Sequence, residues 1–447
     1  MLPSVGFVSL GCAKNLVDSQ IMAGALKRAG FPLAPAPERA EAILVNTCSF
    51  IRDAREESVE AIARACEQKR LGRCRLVAVA GCLPQRYRAQ LERLFPLVDV
   101  FVGLDELDEL PARLRAAAEG RARRKMFVSR ARPTRLFTPD YPTLLFTGGP
   151  WAYLKISEGC DHKCAFCAIP GIRGAFRSRP MRDLVAEARA LVRAGVREIN
   201  LIAQDVLRYG VDLDARHRPQ LVALLKKLDA LEGDFGLRLL YGYPSMVTDE
   251  LLAYWPQSRH LLPYIDIPVQ HASARLLRSM GRADALEATQ SLVAKLRSAV
   301  PNMAIRTTCL VGFPGETEDD FGELLAFVKE MRFDHLGAFA FSPEEGTRAA
   351  KMKNVPPEDV AEARRAKLMR VQRQIVRRRA ERELTGRKDR LLLLKAEGRN
   401  GVGRLSRQAP EVDGLTSVRR LPKGARPGDF VDIRIEGFDG YDLLARC

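Results

Sequence analysis

Three apolar runs near the start of the chain end in a cysteine. They read VSLGC (8–12), LVNTC (44–48) and AVAGC (78–82), and the cysteines are Cys12, Cys48 and Cys82. Separations of 36 and 34 residues each fit one strand, one helix and the return to a neighbouring strand. The intervening pattern agrees. Strands are expected at 5–11, 42–47, 76–81 and 98–103, with helices at about 15–28, 53–69 and up to about 95. Apolar strands alternating with helices predict a parallel sheet covered by helices. Successive parallel strands end on one edge of such a sheet, so the three cysteines converge. A lone cysteine is an ordinary small buried residue. Three at equivalent strand ends read as ligands.

A second cysteine set follows in EGCDHKCAFC, where Cys160, Cys164 and Cys167 are spaced C-x3-C-x2-C. Three thiolates this close along a loop suit three irons of a cubane cluster and leave the fourth iron open. A zinc site using His162 is the rival reading, although no second ligand pair follows within fifty residues. Cys66, Cys74, Cys309 and Cys447 have no partner pattern and read as structural or incidental.

The loop opens a new strand-helix alternation. Six strands are expected at 153–157, 198–203, 237–242, 264–269, 304–311 and 335–341, which predicts a (β/α)6 partial barrel. Its site belongs at the carboxyl ends of the strands. Residues 357–384 read as a long basic helix with Leu368, Val371, Ile375 and Val376 as its apolar stripe. Beyond it, LLLLKAEG, FVDIRIEGF and YDLLA, punctuated by Gly and Pro, predict a small antiparallel β-barrel.

The net charge of +17 suggests a nucleic-acid partner. Its distribution narrows that reading. Residues 121–135 hold 7 basic and no acidic residues, and 364–390 hold 12 and 3, so these two stretches carry +16 of it. The first reads as a linker, either a solvated connector or an RNA or partner contact. The last 57 residues carry only +2 and cluster Asp429, Asp432, Glu436, Asp439 and Asp442 late. No apolar run is long enough for a membrane span, and the N-terminus lacks a basic n-region. A cytoplasmic location with reduced thiols is the expectation.

The C-x3-C-x2-C motif at the head of a (β/α)6 pattern resembles the radical S-adenosylmethionine superfamily. Together with the three-cysteine α/β domain and a TRAM-type barrel, the chain resembles the methylthiotransferase family over nearly its whole length. Two branches compete, one acting on adenosine in tRNA and one on an aspartate of small-subunit ribosomal protein S-twelve. CAIPGIRGAFRSRP (167–180), IAQDVLRYG (202–210), YIDIPVQHAS (264–273), APEVDGL (409–415) and GYDLLA (440–445) look like the aspartate-modifying branch. One departure is Asp18-Ser19-Gln20, where the family has Asp-Ser-Glu, so the third residue keeps hydrogen bonding but loses the charge.

The resemblance implies domains at 1–120, 121–140 (linker), 141–383 (radical S-adenosylmethionine domain) and 384–447 (TRAM-like barrel). It implies two [4Fe–4S] clusters, on Cys160, Cys164 and Cys167 and on Cys12, Cys48 and Cys82. It also implies S-adenosylmethionine as cofactor and methyl source, and methylthiolation of the aspartate β-carbon. A flavodoxin- or ferredoxin-like electron donor and a ribosomal RNA contact are further expectations. Gln204 and Asp205 follow the second barrel strand and either hold the cofactor ribose or form a plain turn. Gly312, in GFPGE, either allows close approach of the cofactor or serves a tight βα turn. Gln270 and His271 are candidates to line a peptide site. Arg173, Arg177 and Arg179 read either as carboxylate partners or as solvated loop arginines.

Overall fold

In the computed structural model, which describes all residues except 139–144 and 283–285, the chain forms two units. One comprises Met1–Phe146, Ser157–Asp183 and Glu344–Thr347; the other comprises Thr147–Ile156, Leu184–Pro343 and Arg348–Cys447.

The first unit is built on a parallel sheet of β1 (Val5–Ser9), β2 (Ala42–Thr47), β3 (Leu76–Gly81), β4 (Val100–Val102) and β5 (Met126–Phe127), in that spatial order. β2 and β3 are buried along their whole length, as a sheet covered on both faces requires. The connecting helices are α1 (Ala13–Arg28), α2 (Arg52–Arg70), α3 (Cys82–Leu94) and α4 (Leu110–Ala118). Ile62, Ala65, Val77, Val79 and Phe101 belong to one core cluster between helix and sheet. β5 corrects one expectation: the basic 121–140 stretch is not merely a connector, because Met126 and Phe127 add a strand to the sheet. Arg113 and Arg124 lie over the Phe127 ring, and Arg135 pairs with Asp108. The end of that stretch and the first residues of the expected 141–383 domain lie outside the described residues.

In the second unit β6 (Trp151–Lys155) begins a six-stranded parallel sheet. The short strands β7 (Ser157–Glu158) and β8 (Arg177–Ser178) pair antiparallel within the first unit. The large sheet continues with β9 (Glu198–Ile202), β10 (Gly236–Leu240), β11 (Leu261–Asp266), β12 (Ala304–Val311) and β13 (His335–Ala340), in consecutive order. This is the expected (β/α)6 arrangement. Its helices are amphipathic. In Leu221–Asp229, for example, Leu221, Val222, Leu224, Leu225 and Leu228 are buried on one side.

The long helix spans Glu358–Arg379 and continues through a π-turn at Ala380–Leu384. It buries Leu368 and Ile375 as expected, together with Gln372, whose Nε2 donates to the Phe333 carbonyl at 2.9 Å. Some of its arginines pair with carboxylates. Arg364 pairs with Glu318, Arg377 with Glu381, and Arg379 with both Glu383 and Asp334.

β14 (Lys388–Glu397), β15 (Asn400–Leu405), β16 (Thr416–Arg419), β17 (Phe430–Asp439) and β18 (Asp442–Arg446) close into the small barrel. Pairing is antiparallel except between β16 and β18, which run parallel. The turn between β15 and β16 carries two carboxylates to the large sheet. The Tyr153 hydroxyl donates to Glu411 at 2.7 Å. Asp413 accepts from the Tyr264 hydroxyl and Arg306 Nη1, each at 2.7 Å, and from the Ala409 amide at 2.8 Å. Glu198 at the start of β9 is shared by Arg238 of β10 and Arg404 of β15. No helix among the described residues is long and apolar enough to cross a membrane.

Candidate functional site

The register of β1, β2 and β3 decides where the first three cysteines go. Ser9 lies opposite Asn46, and Thr47 opposite Gly81, so the strands finish level. Cys12 caps the start of α1, Cys48 follows β2 directly, and Cys82 is the first residue of α3. Gly11, at φ +87°, explains why glycine precedes the first: a Cβ there would stand 2.7 Å from Cys48 Cβ and 3.0 Å from Cys48 Sγ. Gly81, at φ +96°, precedes the third, where a Cβ would meet Asn46 Oδ1 at 2.3 Å.

A buried polar floor fixes these strand ends. Asn46 Nδ2 donates to the Asn15 carbonyl and to Ser19 Oγ, both at 2.8 Å. Asn15 Nδ2 donates to the Leu10 carbonyl at 2.5 Å. Ser58 Oγ accepts from the Cys48 amide at 3.0 Å, and Ser49 Oγ donates to the Cys82 carbonyl at 3.1 Å. Gln20, at the departure from the family motif, is buried and its Nε2 has no hydrogen-bond partner.

The second set lies in the loop after β7. Cys160 donates its amide to the Gly174 carbonyl at 3.1 Å, and Cys167 to the Cys164 carbonyl at 3.2 Å. Asp161 accepts from the Phe176 amide at 3.0 Å. Gly159, at φ +74°, passes so close to Ala175 that a Cβ would stand 2.0 Å from its carbonyl oxygen. α5 (Ile169–Arg173) follows and ends on Arg173. This arginine is buried, not solvated. It pairs with Asp18 and Glu158, and its Nη2 donates to Cys82 Sγ at 3.5 Å. Arg177 instead spends its guanidinium on the carbonyls of Arg135, Arg173 and Ala175.

None of the ten cysteines forms a disulfide. Burial pushes the Cys82 thiol up to about 12, with Arg173 pulling the other way, and burial also raises Cys48. A metal must therefore displace protons to bind here. Among the described residues no group of three His, Cys, Asp or Glu side chains is arranged to hold a metal ion. Three thiolates on a cubane each grip a different iron and need not converge on one point. Each set supplies three soft sulfur ligands, which is the donor chemistry an iron–sulfur cluster requires.

The remaining candidates lie in the second unit. Asp205 is buried and Oδ1 accepts from the Leu207 amide at 3.2 Å and the Tyr243 amide at 3.1 Å, so it builds the turn after β9. Gln204 precedes it and is half-buried. Gly312, at φ +73°, lets the long helix approach, since a Cβ would stand 2.4 Å from Ala361 Cβ. Its amide donates to Glu316 Oε2. His271 Nε2 and Glu316 Oε1 are buried without hydrogen-bond partners and face each other at 3.5 Å. The pair stands beside Gly312 at the carboxyl end of β12. Gln270 adopts φ +70° and bridges to Cys309.

Curated relatives match the chain end to end. A ribosomal protein uS12 methylthiotransferase RimO from Pelotomaculum thermopropionicum is 44% identical over 445 residues, 98% of each chain. One of the same description from Syntrophus aciditrophicus is 42% identical, covering 99% of this chain and 98% of its own. The chain belongs to the RimO family. Family models place an uncharacterised protein family, UPF0004, at residues 4–103, the radical SAM superfamily at 154–328 and a TRAM domain at 385–447. Among solved structures, the radical S-adenosylmethionine methyltransferase TsrM from Kitasatospora setae, with cobalamin and a [4Fe-4S] cluster bound, aligns with TM-score 0.55. It is 14% identical and covers 78% of this chain and 77% of its own. At that identity the likeness shows the fold this RimO-family chain adopts and nothing finer.

Proposed function

We propose that this chain is a radical S-adenosylmethionine methylthiotransferase that places a methylthio group on the β-carbon of an aspartate of ribosomal protein uS12. The observation that carries the reading is one folded unit holding two separate three-cysteine sets, in a chain of the RimO family. Cys160, Cys164 and Cys167 would hold the [4Fe–4S] cluster that binds S-adenosylmethionine, and Cys12, Cys48 and Cys82 a second [4Fe–4S] cluster. Such clusters with S-adenosylmethionine supply the one-electron chemistry that an unactivated C–H bond demands.

The protein's part is placement. Gly159, Gly174 and Asp161 hold the 160–167 loop, while the Asn15–Asn46–Ser19 floor holds the three strand ends. Gln204, Asp205 and Gly312 stand as cofactor contacts in this reading, the first two through the turn after β9 and the third through its backbone. A domain division at 1–120, 121–140, 141–383 and 384–447 is supported by the family matches at 4–103, 154–328 and 385–447. The enzyme works in the cytoplasm, takes electrons from a flavodoxin- or ferredoxin-like protein and contacts ribosomal RNA.

Cluster-loaded, reduced enzyme should release 5′-deoxyadenosine from S-adenosylmethionine and methylthiolate uS12, leaving tRNA nucleosides unchanged. Methylthio-adenosine in tRNA with unmodified uS12 would transfer the chain to the tRNA branch. No 5′-deoxyadenosine under any condition would rule out a radical enzyme.

A further inference from the structure

Arg173 joins the surroundings of both cysteine sets. Its Nη1 donates to Glu158 Oε1 at 2.9 Å, and Glu158 lies two residues before Cys160. Its Nη2 donates to Asp18 Oδ2 at 2.9 Å and to Cys82 Sγ at 3.5 Å, with Asn15 Oδ1 also at 3.5 Å. The guanidinium is almost wholly buried, as are both carboxylates. A buried cation held by two carboxylates is an expensive arrangement to maintain for packing alone. Lysine would not replace it, because these acceptors lie on different edges of a planar fork.

We infer that Arg173 is a positioning residue that raises the reduction potential of the cluster held by Cys12, Cys48 and Cys82, and that Asp18 opposes it. The inference rests on the cluster assignment made above. Reduction adds one electron to a cluster already ligated by three thiolates. An N–H aimed at a ligand sulfur, carrying a positive charge in a dry setting, stabilises that added charge. The Asp18 carboxylate fixes the guanidinium but works against reduction by its own charge. Arg173 therefore sets both the electrostatics of this cluster and, through Glu158, the path of the loop that carries the other cysteines.

The test uses the full-length chain carrying Cys160→Ala, Cys164→Ala and Cys167→Ala, so that only the first set can hold a cluster. After reconstitution with iron and sulfide, the cluster is reduced by one electron with dithionite and mediators. Its midpoint is read from the paramagnetic resonance of the reduced form. Arg173→Gln should lower the reduced-to-oxidised ratio at fixed potential about tenfold or more, equivalent to about 59 mV for one electron. Asp18→Asn should shift it in the opposite direction, and Arg173→Lys should fall between the parent and Arg173→Gln. A merely structural arginine would reduce cluster occupancy in every variant without moving the midpoint of the loaded fraction in opposite directions. Unchanged midpoints overturn the role of Arg173. Should Arg173→Gln fail to fold, Asp18→Asn decides alone, and no upward shift there overturns it. A parent that assembles no cluster overturns instead the assignment on which the inference rests.

Discussion

Replacing Cys160 with alanine is expected to reduce release of 5′-deoxyadenosine to background, whereas Cys48→Ala should retain release and lose methylthio transfer to uS12. The expectation follows from the contacts that hold each set. Gly159 against Ala175, Cys160 against Gly174 and Asp161 against Phe176 pin the 160–167 loop, and none of these contacts uses Cys48. Cys48 is fixed by Ser58 and by the close approach of Gly11. Loss of one thiolate therefore removes a ligand of one cluster and leaves the other loop in place. Both products are measured by chromatography and mass spectrometry on the same reaction mixtures. Equal loss of 5′-deoxyadenosine in both variants would contradict the division of labour.

Asp413→Ala should destabilise the chain by about 3–5 kcal/mol, the usual consequence of removing one partner from a buried ion pair. Asp413 is completely buried and satisfies Tyr264, Arg306 and the Ala409 amide at once. Without it, Arg306 keeps the Val412 carbonyl at 3.1 Å and a distant Asp266 at 3.9 Å. The Tyr264 hydroxyl is left buried and unpaired, which adds its own desolvation cost. Asp413→Asn keeps an acceptor and should cost less than the alanine change. Denaturant unfolding followed by tryptophan fluorescence measures both. A loss below about 1 kcal/mol for the alanine variant, a surface-pair magnitude, would contradict this account of the turn.

The places of the cysteines in the fold were legible because their information is local and periodic. A cysteine after each of three strands needs only the strand-helix pattern to be placed, and C-x3-C-x2-C needs only spacing. The barrel strands, the long helix and the closed C-terminal barrel follow from the same periodicities. What pattern cannot carry is burial of charge. Arg173 lies in GIRG, where pattern left a carboxylate partner and solvent both open, and it is Asp18, 155 residues earlier, that makes it an interior cation. Asp413 and Glu411 likewise look like turn residues until Tyr153, Tyr264 and Arg306 are brought to them. On the basic helix, pattern gives charge but not pairing: Arg364 and Arg379 meet Glu318 and Asp334 from elsewhere in the fold, while Arg377 meets Glu381 in an exposed pair along the helix. Pro133, which meets the Cβ position of Gly174, and the β5 strand that precedes it both come from the stretch that composition marked as a connector.

One comparison decides the substrate. uS12 isolated from cells with and without this gene is compared by intact-mass and peptide mass spectrometry. An aspartate of uS12 should carry the added methylthio group only where the gene is present, and restoring the gene should restore the mass. A uS12 of identical mass in both strains would contradict it.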